Sequence, residues 1–282
     1  MTEYGVFSRA ELLAQYTPHE IDAFVADGLL LKINRGWYAL DVVENKAVTA
    51  VRNQTRIGCL SGCDAHGLWV PPFRGNHLVY GNGRKPRLGP DYILHHSSAP
   101  LPASAVYGLA DCITHVLRNH DAETGLIVAD SAMNLDLLTN TEIAAIIRGL
   151  PQRVHAILPY LAWAQSGSET RARYLFQRMG VKVRTQVEID GVGRVDLVVG
   201  DCLVVECDSK RHHSSQTSYE RDRRRDLAAR DLGFTVTRLS YRQIWDEWEA
   251  TQQSLIRQIR DREHRANSRQ RARLASTMRF HP

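Results

Sequence analysis

The chain has no run of about 18 apolar residues, the length a membrane-spanning helix needs, so no membrane partner is expected. Its N-terminal stretch, MTEYGVFSRAELLAQ, carries acids and helix formers where a secretory signal has a basic and then an apolar segment. A soluble, cytoplasmic protein is the expectation. The five cysteines (Cys59, Cys63, Cys112, Cys202, Cys207) are odd in number and irregularly spaced. That suits reduced thiols better than a disulfide framework and gives no sign of redox chemistry. No phosphate-loop or nucleotidyltransferase motif is visible. What is present is a chain of 282 residues that is 43% apolar, enough to bury two or three cores of common size.

Positive charge is unevenly spread. The net charge is +5, yet residues 1–50 hold four Lys/Arg against seven Asp/Glu, residues 51–165 nine against eight, and residues 166–282 twenty-three against sixteen. The basic excess therefore lies in the last segment, and a polyanion such as DNA is the first partner it implies. The acidic first segment suits a protein partner as well.

Residues 1–50 have the order helix, turn, helix, hairpin. Ser8 with Glu11 forms a capping box for a helix over 8–15. Thr17-Pro18 opens a second helix that stops at Gly28. LLLKI and GWYAL flank the hairpin signal Asn34-Arg35-Gly36. This is the order of a winged helix-turn-helix, and with Arg35-Gly36-Trp37-Tyr38-Ala39 the segment resembles the N-terminal domain of AbiEi-type antitoxins and related bacterial regulators. That resemblance implies DNA contact through Lys32 and Arg35 on the wing. Against it, His19-Glu20-Ile21-Asp22 puts two acids at the start of the second helix, where bases or phosphates would be met. A packing module is the other reading.

Residues 51–165 read as a mixed connecting region. Helices are expected from Cys59 to His66 and over 109–118 and 141–150, with short strands over 78–80 and 92–94 and a turn at Asn82-Gly83. Cys59-x-x-x-Cys63-x-x-His66 has metal-ligand residue types, but no fourth ligand is evident. Cysteine on a helix is more often core.

From Ser166 the pattern sharpens into a domain over 166–260, followed by a basic tail over 261–282. A helix opens at Ser166-Gly167-Ser168-Glu169 and ends at Gly180. Strands follow over 183–189, 192–199 and 202–208, then a helix over 218–232, a strand over 234–239 and a helix over 241–260. The fold class is mixed α+β or α/β, with a sheet covered on its faces. Asp196 lies in the second strand and Glu206 and Asp208 near the end of the third, across a short turn. Strand alternation turns Glu206 and Asp208 to one face and Cys207 to the other. Each acid interrupts or ends an apolar run, VDLVV or LVVECD, where an unpaired charge is costly. Carboxylates crowded on one face repel unless a cation sits among them, and hard oxygen ligands suit Mg²⁺ or Mn²⁺.

An ordered series of short stretches then carries a second resemblance. These are Ser168-Glu169-Thr170-Arg171-Ala172-Arg173, Arg194-Val195-Asp196-Leu197, Val205-Glu206-Cys207-Asp208 with His212, Tyr219 to Asp226, and Gly233 to Arg238. The segment resembles the Vsr-like endonuclease-fold domains, relatives of the very-short-patch-repair endonuclease within the PD-(D/E)xK superfamily. The resemblance implies a restriction-endonuclease-like domain that hydrolyses phosphodiester bonds with Mg²⁺ or Mn²⁺ held by Asp196, Glu206 and Asp208. His212 or Lys210 would act on the attacking water or the scissile phosphate, and Glu169 would approach from its helix. Asp222 would orient His212 or Lys210. Arg173, Arg194 and Arg225 are expected on DNA, as are Arg265 and Arg269 in a mobile or helical basic arm. Two departures stand out: Ser209 replaces the family's glycine, and Asp208 stands where the wider superfamily has lysine. They keep open a non-catalytic DNA-binding regulator on a nuclease fold, and RNA is not distinguished from DNA.

Overall fold

The computed structural model describes residues 4–40, 45–83, 85–208 and 216–280, with side chains for all of these except 216–222 and 280. The chain divides into two compact units, residues 1–129 with 138–158, and residues 130–137 with 159–282.

The first unit begins with β1 (Val6–Ser8), α1 (Arg9–Leu13), α2 (Pro18–Ala26), β2 (Leu31–Asn34) and β3 (Trp37–Ala39). Both helices start on capping boxes, Ser8 with Glu11 and Thr17 with Glu20, so their first N–H groups are satisfied locally. Gly36 at φ +80° turns the hairpin, a conformation that favours glycine. The strands form an antiparallel sheet in the order β1-β3-β2, and β1, which the sequence pattern does not signal, pairs with β3. Leu12, Ile21, Leu30 and Tyr38 pack together beneath it. No helix among the described residues is long and apolar enough to cross a membrane.

A second sheet of the first unit, in the order β4-β5-β6, is built from β4 (Thr55–Ile57), β5 (Asn76–Tyr80) and β6 (Tyr92–His96). Strands β4 and β5 are antiparallel, and β5 and β6 are parallel. Helix α3 (Lys46–Arg52) precedes this sheet, α4 (Cys59–Ala65) follows β4, and α5 (Leu109–Asn119) follows β6. Ile57 and Leu78 share a core with Val48 and Val51 of α3. Helices α6 (Ala122–Asn134), α7 (Asn140–Arg148) and α8 (Gln152–His155) complete this part of the chain, with residues from Asp130 to Leu137 grouped in the second unit.

In the second unit α9 (Gly167–Arg178) leads into β7 (Val183–Ile189), β8 (Gly193–Val199) and β9 (Leu203–Cys207). Then come α10 (Gln216–Leu232), β10 (Thr235–Leu239), α11 (Tyr241–Trp245), α12 (Trp248–Arg260), α13 (Ser268–Thr277) and β11 (Met278–Phe280). The sheet runs β10-β9-β8-β7-β11, with β9 and β10 parallel and the other pairs antiparallel. Each face buries its own core. Leu197, Val199, Leu203 and Val205 pack with Phe176 of α9, Ile244 of α11 and Leu255 of α12. Val187, Val195, Val198 and Val204 pack with Ala229 of α10 and Leu274 of α13.

Of the two forms expected for the tail, mobile or helical, residues 268–277 take the helical one, and the segment packs on the sheet: α13 buries Leu274, and β11 closes the sheet, with Met278 opposite Ile189. Its few apolar residues fall where the sheet face needs cover, and its arginines lie outside. The long helix expected over 241–260 is broken into α11 and α12.

Candidate active site

The central feature is a flaw in the sheet. On a regular strand, residues two apart face the same side. Here Val195 and Leu197 pack into opposite cores, and so do Val187 and Val183 on the neighbouring strand. The break lies at Gln186, whose φ of 51° is left-handed, and at Asp196 between the register pairs Thr185↔Leu197 and Val187↔Val195. A non-glycine residue in that region costs roughly 1–2 kcal/mol. Strain of this kind persists where the surroundings hold it in place, commonly at functional sites.

The flaw brings acids from both faces together. The β8–β9 ladder extends to Leu197↔Val205; past it, carboxylates take over the strand N–H groups. Asp196 N–H donates to Glu206 Oε2 at 3.1 Å, and Cys207 N–H donates to Asp196 Oδ2 at 2.8 Å. From α9, Glu169 is 4% exposed. Its Oε2 accepts from Gln186 Nε2 at 2.8 Å and from Gln165 N–H at 3.1 Å, and its Oε1 accepts from the Ser166 hydroxyl at 3.0 Å. Gln186 also hydrogen-bonds Asp196, so it links the two acids. From α10, Arg225 donates to Glu206 Oε1 at 3.1 Å and to the carbonyls of Val192 and Arg194.

These groups hold protons more tightly than acids in water. Burial, reinforced by the charge of Asp196, raises the Glu169 carboxyl from its ordinary 4.5 to about 7. Burial also raises Asp196, and it raises Glu206 with help from Asp196. Because removing ions from water penalises the charged form, a cluster of this kind favours either protons or a cation. The donor set, buried carboxylate oxygens with a single amide between two of them, fits a hard divalent ion such as Mg²⁺ or Mn²⁺.

A pH prediction follows from the sign of the shift. Because the folded value of Glu169 lies above the unfolded one, the stability it lends is fully present below about pH 4.5 and is lost as pH rises through about 7. At pH 8 the buried charge costs up to about 3 kcal/mol in metal-free protein. Metal-free Glu169→Gln is therefore expected to melt above the wild type at pH 8 and level with it near pH 4.5. A variant destabilised equally at both pH values would contradict this.

The other sequence-derived residues fall in several places. Asp208 is half-exposed and faces Arg238 Nη1 at 3.7 Å, while Arg238 also pairs with Asp226 at 2.9 Å. Lys210 and His212 lie outside the described residues, as does the side chain of Asp222. Arg194, Arg265 and Arg269 are exposed, and so are Lys32 and Arg35 in the first unit. Arg173 corrects its expectation. It is 1% exposed, its guanidinium pairs with the equally buried Asp130, and it donates to Tyr160 O and Gln177 Oε1, so it is a core residue with no surface to offer DNA in this structure. Arg225, expected on phosphate, donates to Glu206 and the strand carbonyls while part of its side chain stays exposed. Gln186 and Asp130 were not legible beforehand, because a lone polar residue in a strand or helix acquires its partners only in the fold.

A restriction-endonuclease-like family, described as REase_MTES_1575, matches residues 169–259. The match runs from the buried acid of α9 through β7–β10 and into α12, so the second unit carries a restriction-endonuclease-like domain. No curated protein matches the chain.

Proposed function

We propose that the chain is a divalent-metal-dependent nuclease acting on DNA. The observation that carries this reading is the set of Glu169, Asp196 and Glu206, the buried carboxyls of Glu169 and Glu206 each facing the charge of Asp196 at a break in the sheet of a restriction-endonuclease-like domain. Asp196 and Glu206 are the residues that would hold Mg²⁺ or Mn²⁺, with Asp208 at the exposed end of the same strand. When bound, the ion would supply an activated water and stabilise charge on the phosphate. Glu169 acts through Gln186 to position Asp196. Lys210 or His212 would meet the scissile phosphate or the attacking water. Arg194, Arg265 and Arg269 offer exposed positive charge to the backbone. The N-terminal segment is proposed to be an AbiEi-like winged helix contacting DNA through Lys32 and Arg35, and the nuclease domain to be of the Vsr-like kind.

A second reading has its own support. Arg225 already neutralises Glu206, and Arg238 faces Asp208, so the acids have fixed counter-charges. A regulator that binds DNA on a nuclease fold without cutting it would keep such pairs. Incubation of supercoiled plasmid and of structured RNA with the full chain in Mg²⁺, Mn²⁺ or EDTA separates these readings. Metal-dependent nicking of DNA alone is the expected result. Salt-sensitive binding with no cutting in any metal would favour the regulator, and cutting confined to RNA would change the substrate class.

A further inference from the structure

The first unit gathers four metal-ligating residues that its sequence scatters. Cys59, His77, His95 and His120 each turn one ligand atom inward, and all four atoms lie within 4.8 Å of one another. His77 Nδ1 stands 2.9 Å from His95 Nε2, and His120 Nε2 stands 3.2 Å from Cys59 Sγ. The rings of His77 and His95 are stacked with centroids 5.1 Å apart, and the His120 ring lies 5.2 Å from His77. We propose that Cys59, His77, His95 and His120 form a tetrahedral zinc site of structural type in the first unit.

Donor chemistry selects the metal. One thiolate and three imidazoles form a soft-to-borderline set that suits Zn²⁺ and offers nothing to the hard ions proposed for the carboxylates. With Zn–S near 2.3 Å and Zn–N near 2.0–2.1 Å, tetrahedral ligand atoms lie roughly 3.3–3.6 Å apart. The two close pairs, at 2.9 and 3.2 Å, are shorter than that range, and side-chain rotations that open them by a few tenths of an ångström admit the ion. Cys59 and His77 are buried and His95 is 9% exposed. Gathering three imidazoles and a thiol, two of the rings and the thiol buried, leaves facing ring nitrogens that shared protons or a common cation can satisfy.

The fold holds the ligands from four directions. Cys59 opens α4 at φ +52°, left-handed for a non-glycine residue, which sets the direction of its thiol. The preceding Gly58 has no room for a side chain, since a Cβ there would lie 2.7 Å from Val79 Cγ2. His77 and His95 stand on the parallel strands β5 and β6, and the register His77↔Ile93, Val79↔His95 puts them on one face of the sheet. His120 caps α5. His77 has a further hydrogen bond to the Arg74 backbone and His95 one to the Asn119 side chain, the outer partners that orient ligating imidazoles. With four protein ligands there is no open position for substrate, so the ion ties α4, β5, β6 and α5 together rather than performing chemistry. On binding, the Cys59 thiol releases its proton and the three imidazoles bind neutral.

The test is the metal content of untagged, full-length protein purified without chelator. About one zinc ion per chain is expected in the wild type and in Glu206→Gln, falling at least tenfold in His77→Ala and His95→Ala. Cobalt added to chelator-stripped wild type should give tetrahedral visible bands with a thiolate charge-transfer band, and Cys59→Ser should remove the latter. This cobalt titration needs no histidine variant and decides the matter if those variants fail to fold. Trace zinc in the wild type together with no tetrahedral cobalt spectrum would overturn the proposal. So would wild-type zinc content in both histidine variants.

Discussion

Asp196→Asn should leave the protein folded and bound to DNA while slowing metal-dependent cleavage at least about a thousandfold, the scale on which losing a charge-bearing catalytic ligand is felt. Asparagine keeps the volume of aspartate and an oxygen that can accept the Cys207 N–H, so the end of the β8–β9 pairing survives. What disappears is the negative charge that, with Glu206, would hold the ion. Because burial works against the ionised form of Asp196, its removal should raise rather than lower the melting temperature of metal-free protein at neutral pH. Single-turnover cleavage, DNA binding in Ca²⁺ and thermal melting check the three parts. Unchanged cleavage in Asp196→Asn would remove this residue from the metal site. Parallel loss of folding, binding and cleavage would make it a structural residue.

The second large effect lies away from the chemistry. Asp130→Ala should cost about 3–5 kcal/mol of stability, the range found when one partner of a buried ion pair is removed. It strands the guanidinium of Arg173, whose remaining bonds go to Tyr160 O and Gln177 Oε1 while the charge itself has lost its counter-ion. Replacing both partners, as Asp130→Ala with Arg173→Met, should recover much of that loss, since no charge is then left in the core. Urea denaturation of the three proteins measures this. A cost below about 1 kcal/mol for Asp130→Ala would mean that water or a shifted side chain rescues Arg173, and the pair would then not hold α9 in place.

How far the sequence could be read depended on how local each signal is. Helix starts are local, so the Ser8–Glu11 capping box and the Thr17-Pro18 opening are legible in the sequence and are present, the latter with Glu20 completing a second box. Strand β7 is legible to the residue, because it is bounded by Gly180 and the Asp190-Gly191 turn, whereas the break in its alternation at Gln186 is not. Helix α6 was not: Leu126 to Ala129 are buried in succession, so it lacks the one-sided stripe that marks an amphipathic helix. Strand β11 hid in an arginine-rich tail, where Leu274 and Met278 are too sparse to form a pattern and acquire meaning only from the sheet they cover.

The candidate sites divide along the same line. Asp196 and Glu206 stood out because acids inside apolar strand runs are expensive without a partner. Arg173 was misread because one helix position looks the same in sequence whether it faces solvent or Asp130. Gln186 gave no signal, since its importance lies in a left-handed backbone and a hydrogen bond to a residue 17 positions away. In the Cys/His cluster, His95 is 18 residues from His77 and His120 is 61 from Cys59. The local spacing Cys59, Cys63, His66 holds one member of the gathered set, Cys59. The parallel pairing of β5 with β6 brings His77 and His95 to one face.

The most direct test of the nuclease reading is to incubate supercoiled plasmid with purified full-length wild type and Glu206→Gln side by side, in Mg²⁺, Mn²⁺ and EDTA. Nicking by the wild type that requires the metal and is absent from Glu206→Gln is the predicted result. Equal cutting by both proteins, or cutting that persists in EDTA, would contradict the assignment of the carboxylate cluster as a metal-dependent active site.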